Sequence, residues 1–268
     1  MNMGFFANLK AQQAYKLHSQ GQWDEAMKLY DEAVAKGLDN PRYLLSHAVL
    51  MIRFGQYEKA KERLVKLQKH PSLSAEQKVT LFMDYAVCCY KLGDLERGVH
   101  LLESQHKRQP AGILYQTLGY LYVEKFMPEN KPVAVAEIPE VAEGEEAPVL
   151  KTQEELDAQW EQDKQAAYDF LKEAVDYDDE DPVCLDNMGQ FLYRILGDKE
   201  GAKPWFEKAI TFKEGQIDTL WFLSRYDLEN GDDAAALAKL EKAAEGRFSP
   251  LNFATKEGVQ AEIDRLKK

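Results

Sequence analysis

Cysteine is scarce in this chain. The 268 residues hold three, Cys88, Cys89 and Cys184, an odd number with two of them adjacent. Neighbouring helical residues point in different directions and do not bridge. A disulfide framework is therefore excluded, and reduced, partly buried thiols in a cytoplasmic protein are expected. Clustered Cys/His spacing is missing too, which leaves no zinc site. The five histidines are scattered through the first half, and His100 and His106 stand nearly opposite on a helix rather than as a metal pair. No apolar run approaches the roughly 18 residues of a membrane span, so no membrane partner is expected. The start, Met1 to Leu9, has no basic residue and no cleavage site, and does not read as a signal peptide. Phosphate loops, dinucleotide fingerprints and Ser/His/Asp or Cys/His signatures are absent. The run Asp178-Asp179-Glu180-Asp181 lacks the glycine-punctuated loop of a calcium site and reads as a solvated turn. These absences predict a protein that is not an enzyme, with no catalytic residues, no metal and no cofactor.

Basic surplus is also lacking. Net charge is −12, unevenly placed. Residues 1–127 carry 17 Lys/Arg against 13 Asp/Glu, and residues 128–268 carry 17 against 33. The weak positive surplus of the first part argues against nucleic acid as a partner. Halves of opposite sign favour head-to-tail contact, or a basic end that receives an acidic partner.

What the chain has in abundance is itself. Gly21, Trp23, Ala26, Tyr30, Ala33 is followed by Gly55, Tyr57, Ala60, Leu64, Leu67, and Gly21 to Gly55 is 34 residues. Four weaker copies follow, around Gly93, Leu118-Gly119, Gly197 and Gly231. Each is a pair of helices, with small residues where they cross and large ones between. Pro41 suits a helix first turn, where its missing N–H costs nothing. Four residues are added before Gly93, assigned to the Pro71–Ser74 connection, and one is added in the turn around Gly197. The closing stripe Val259, Ile263, Leu266 is what a capping helix needs, because the last repeat has no neighbour to cover it.

The stretch from Gly21 to Ala33 resembles the second-helix pattern of tetratricopeptide (TPR) repeats, and with six copies in register the resemblance extends over nearly the whole chain. It implies an all-α, right-handed α-solenoid of about six TPR-like helical hairpins with a C-terminal capping helix. Departures are Asp233, where an aromatic is usual, and Gly98, where alanine is usual. The expected division is 1–126 for repeats 1–3 and the first helix of repeat 4, and 127–151 for an acidic Pro/Glu/Ala/Val-rich insertion. Residues 152–248 then carry the extended second helix of repeat 4 with repeats 5 and 6, and 249–268 the cap. A bacterial, cytoplasmic origin fits the composition.

Residues 127–151 carry Pro128, Pro132, Pro139 and Pro148 with six glutamates. Prolines at this density exclude a continuous helix. The segment reads either as a solvated loop or as a stretch, Val133 to Ile138, that lies extended against a groove. Helix resumes at Thr152-Gln153-Glu154-Glu155, a capping box, and is expected to run to about Tyr177, longer than its siblings by about four turns.

The resemblance also implies that the first helix of each repeat lines a concave face. Carried onto this chain, the face presents Tyr15, Arg53, Tyr90, Lys91 and Tyr120, then Gln190, Tyr193, Arg194, Trp221 and Arg225. Aromatics and arginine dominate interface energies. The arginines and lysine suit carboxylates of an acidic or C-terminal peptide. The Lys/Asn clamp of chaperone-binding members is missing, since Ala11, Tyr15, Ser46, Thr80 and Asp84 stand at its places. The implied function is a protein–protein interaction scaffold or adaptor that binds a protein or peptide, an acidic one included. Two alternatives stay open, a self-assembling structural protein with charge-asymmetric ends and a peptide-sensing regulator. The oligomeric state is left open as well.

Overall fold

The computed structural model describes residues 3–134 and 150–268. Residues 135–138 of the proposed Val133–Ile138 extended stretch, and most of the 127–151 insertion, lie outside the described residues. Among the described residues the fold is all-α: six TPR-like helical hairpins and a cap. Repeat 1 pairs α1 (Met3–Ser19) with α2 (Trp23–Ala35), and repeat 2 pairs α3 (Pro41–Arg53) with α4 (Tyr57–Leu67). Repeat 3 pairs α5 (Ala75–Lys91) with α6 (Leu95–Arg108), and repeat 4 supplies α7 (Gly112–Lys125) and, after the insertion, α8 (Gln153–Tyr177). Repeat 5 joins α9 (Pro182–Gln190), continued by a π-helical turn, to α10 (Lys199–Phe212). Repeat 6 joins α11 (Ile217–Glu229) to α12 (Asp233–Ala244), and α13 (Lys256–Leu266) is the cap. The chain divides into two compact bodies. The N-terminal body is residues 1–121 with 247–252, and the C-terminal body is 122–246 with 253–268.

The repeating pattern sets both packing and turns. Ala26, Ala60, Gly98, Ala167, Ala202 and Ala236 occupy one register position of the second helices, and all are buried. Without bulk there, the paired helix approaches closely. Gly98 shows why alanine gave way in repeat 3, since a Cβ would stand 2.9 Å from the Ala86 carbonyl oxygen. One turn later Tyr30, Leu64, Leu102, Leu171, Phe206 and Leu240 are fully buried and fill the space between helices. Truncating such a side chain costs about 2–5 kcal/mol. The first helices of repeats 1, 2, 3, 5 and 6 end at Gly21, Gly55, Gly93, Gly197 and Gly231, all with φ between 67° and 83°. That left-handed conformation favours glycine. Helix α7 has no such glycine, and it is after α7 that the turn is replaced by the long insertion.

Two irregularities resolve differently from expectation. The four residues added before Gly93 lengthen α5 to 17 residues, against 13 in α3. They do not simply enlarge the connection. Ser74 is the reason: its hydroxyl accepts from the Gln77 N–H while the Gln77 side chain accepts from the Ser74 N–H, so the helix starts one turn early. The residue added before Gly197 is absorbed as the π-helical turn Phe191–Ile195, with the Leu196 N–H bonded to the Phe191 carbonyl at 3.1 Å. The predicted capping box at Thr152 and Glu155 is present and starts α8, whose 25 residues match the expected extra turns. The first half of α8 buries no residue fully, but Trp160 meets the Phe126 ring at 4.9 Å.

Candidate binding surfaces

Surface chemistry on the first helices follows from what each cation finds nearby. In the N-terminal body, Asn40 caps α3 by accepting from the Arg42 N–H at 3.1 Å, which fixes Arg42 in the first turn. Its guanidinium lies 4.5 Å over the Tyr15 ring, and the Tyr43 ring is 6.0 Å from Tyr15. Tyr15 is 37% exposed, and Arg42 forms no ion pair among the described residues. Arg53, at the end of α3, lies 4.0 Å over the Trp23 ring and donates through Nη1 to the Phe248 carbonyl at 3.0 Å. The 247–252 segment of the same body is thus already seated on Arg53, and its Leu251 packs against the core. Burial, and then the charge of Arg247, lowers the Arg53 pKa. Lys91 lies 4.4 Å over Tyr90, whose ring is 6.0 Å from Tyr120. Behind this surface His47 is fully buried and stacked on Tyr30 at 5.3 Å. Burial, and then the charge of Arg63, pushes its pKa down to about 3, although Asp31 Oδ1 stands 3.1 Å from its Nε2.

In the C-terminal body the same residue types meet carboxylates. Arg194, on the π-helical turn, donates through Nη1 to Glu124 Oε1 at 2.8 Å and to Gln190 Oε1 at 2.9 Å. It also stacks 4.1 Å over Phe253, and its side chain is 7% exposed. Gln190 passes the network on, with Nε2 donating to Asp186 Oδ2 at 2.7 Å. Asp186 Oδ1 accepts from the Thr219 hydroxyl at 2.6 Å. Next to Thr219, Asp218 accepts from the Phe253 and Ala254 N–H groups at 3.0 Å each, which ties the entry of the cap to α11. Burial first, and the Asp218 charge second, raises the Asp186 pKa well above the ordinary carboxylate value. Arg225 lies 4.2 Å over Trp221 and pairs with Glu262 of α13 at 3.2 Å. Tyr193 packs edge-on and tilted against Tyr226 and Phe222.

The ten residues expected on one concave face therefore have different surroundings. Tyr15 is open; Arg53, Tyr90 and Lys91 are half-buried; Tyr120 is buried. Gln190 is buried at the centre of the network, so neither it nor Tyr120 presents an open surface. Tyr193, Arg194, Trp221 and Arg225 are half-buried and engaged by their own chain. Glu124 and Glu262, which hold the arginines, were not anticipated. They stand 70 and 37 residues away in sequence, and no local pattern marks them. Arg42 and Tyr43 also stand outside the expected set, although Pro41 marks the helix start that positions them. Among the described residues no group of three metal-ligating side chains gathers, and no helix is long and apolar enough to cross a membrane.

No protein-family model matches the chain, and no curated protein matches it in sequence. Solved structures do match. A thermophilic TPR protein of Thermus thermophilus is 15% identical and superposes with a TM-score of 0.60 over 85% of this chain and 99% of that one. MamA of Desulfovibrio magneticus RS-1 is 16% identical over 80% of this chain and 98% of its own, with a TM-score of 0.50. The C-terminal part of a TPR repeat-containing protein of Cytophaga hutchinsonii is 16% identical over 88% and 78%, also at 0.50. Hairpin order, turn glycines, crossing alanines and these superpositions agree: the chain has the fold of tetratricopeptide-repeat proteins.

Proposed function

We propose that this chain is a protein-interaction adaptor that receives a peptide or partner helix on the first-helix face of repeats 1 and 2. The observation that carries this reading is the exposed Tyr15–Arg42 pair beside half-buried Tyr43, a cation held over an aromatic ring with no carboxylate of its own. Tyrosine and arginine are the residue types that concentrate interface energy. An unpaired guanidinium favours a guest carboxylate, in bidentate geometry. Stacked helical repeats offer the extended surfaces that such folds use for binding. Buried, unbridged Cys88, Cys89 and Cys184 support a cytoplasmic setting. In this reading residues 1–126 carry the binding surface and residues 249–268 cap the array.

The test compares partner capture by the native chain and by a Tyr15→Ala/Arg42→Glu variant. Both residues are accessible, so circular dichroism melts should coincide. Retention of the partner should fall at least about tenfold, the equivalent of about 1.4 kcal/mol. Added salt should weaken the native complex more than the variant one. Equal retention by the two chains would remove this surface from the reading.

A further inference from the structure

A second surface lies within the N-terminal body, on helices α4, α5 and α6. It consists of two joined depressions of about 410 and 400 Å³ that share Gln68, Leu81 and Phe82. Those volumes fall in the range of ligand pockets, about 300–1,000 Å³. The groove exists because of an irregularity already visible in the sequence. The early start of α5 supplies Ala75, Lys78 and Val79 as one wall, and the close approach of Gly98 to Ala86 sets where α6 crosses α5. Leu64 and Leu81 are buried and form the floor. Phe82, Tyr85 and Leu101 are half-buried, and Val65 is 44% exposed, so an apolar wall faces outward.

The charged side chains that line this apolar strip are basic. Lys78 and Arg108 line one depression, Arg97 and His100 line the other, and no carboxylate lines either. Arg97 and Lys61 both face the Tyr85 ring, at 5.6 and 5.5 Å. Lys61, Lys78, Arg97 and Arg108 form no ion pair among the described residues, while His100 Nδ1 stands 4.0 Å from Glu103. Gln68, Gln105 and Gln109 add amide donors and acceptors able to bond a peptide backbone. A basic segment would be repelled here, and a purely apolar one would leave the cations unanswered. We propose that this groove docks a peptide segment of a partner protein in which apolar residues are flanked on both sides by carboxylates. The site is built from other helices than the Tyr15–Arg42 surface and stands independently of it.

Fluorescence anisotropy on the full chain tests this with two labelled peptides, leucines flanked by glutamates and the same leucines flanked by lysines. The glutamate-flanked peptide should bind at least about tenfold tighter. The double variant Arg97→Glu/Arg108→Glu should invert that preference, and Val65→Asp should weaken both peptides. All three positions are exposed, and unchanged circular dichroism melts would confirm the fold. Equal affinity for the two peptides, or binding of neither, overturns the proposal. So does a preference that survives the double reversal, or one that disappears with Arg42→Glu, which would place binding at Tyr15 and Arg42. Concentration-dependent self-association that the double reversal abolishes would make a second copy the occupant and overturn the proposed partner.

Discussion

The two bodies use the same cation-on-ring pair and put it to different use. In the N-terminal body Arg42 rests on Tyr15 and Arg97 faces Tyr85, with no carboxylate attached to either. In the C-terminal body Arg194 rests on Phe253 and Arg225 on Trp221, and each is also held by a glutamate. The pair alone does not tell a binding residue from a structural one. A carboxylate arriving from a distant helix does, because it neutralises the charge a guest would have met. The N-terminal body retains unanswered cations where its sequence has a slight basic surplus, and the acidic C-terminal part answers its own.

The largest expected effect follows from breaking an answered pair. Arg194→Ala leaves Glu124 half-buried without its guanidinium and removes a donor from Gln190. It should cost the C-terminal body about 3–5 kcal/mol in urea unfolding, where Arg42→Ala costs the N-terminal body less than about 0.5 kcal/mol. Tryptophan fluorescence separates the two, with Trp23 reporting one body and Trp160, Trp205 and Trp221 the other. Similar losses for both arginines would erase the contrast.

A smaller effect should appear with pH. Asp186 keeps its proton in the folded state well above the ordinary carboxylate pKa of 3.8, through burial and the Asp218 charge. Its contribution to stability is therefore complete below that value and is lost as pH rises toward the raised folded-state pKa. The slope is at most about 1.4 kcal/mol per pH unit. Asp186→Asn mimics the protonated acid: its carbonyl can still accept from Gln190 Nε2, while its amide donates to the Thr219 hydroxyl oxygen. Its unfolding midpoint should fall less than the native one between pH 3.8 and about pH 7, and an identical fall would show that Asp186 does not titrate in this way.

The smallest effect compares one device in the two bodies. Ser74 and Thr152 both close capping boxes. Ser74→Ala should cost about 1 kcal/mol in global unfolding, because α5 packs on both its neighbours. Thr152→Ala should fray the first turns of α8, where no residue is fully buried, and show as faster amide exchange there with little change in the melt. A melt shifted equally by both would mean that the start of α8 is as integrated as the start of α5.

Much of this was readable before the structure. Five turn glycines were marked by spacing, and each adopts positive φ. The α8 start was marked by Thr152 and Glu155, and the cap by Val259 and Ile263, both buried. These are local signals, carried by residues within a turn or two of what they specify. The surfaces were less readable. Gln190 and Tyr120 stood at positions that line a face in the repeat pattern, yet both are buried. The extra residue before Gly197 could be counted, but not its outcome as a π-helical turn carrying Arg194 to Glu124.

The sequence by itself determined the number of hairpins, their turns, their crossing points and the places where the repeat departs from its period, because backbone conformation and close helix crossing depend on nearby residue types. Only the tertiary structure decided which cations stay available. That depends on whether Glu124 or Glu262 reaches an arginine tens of residues away, and on which helices part to leave Phe82 and Tyr85 uncovered. Charge compensation acts through space, over distances that no repeat period records.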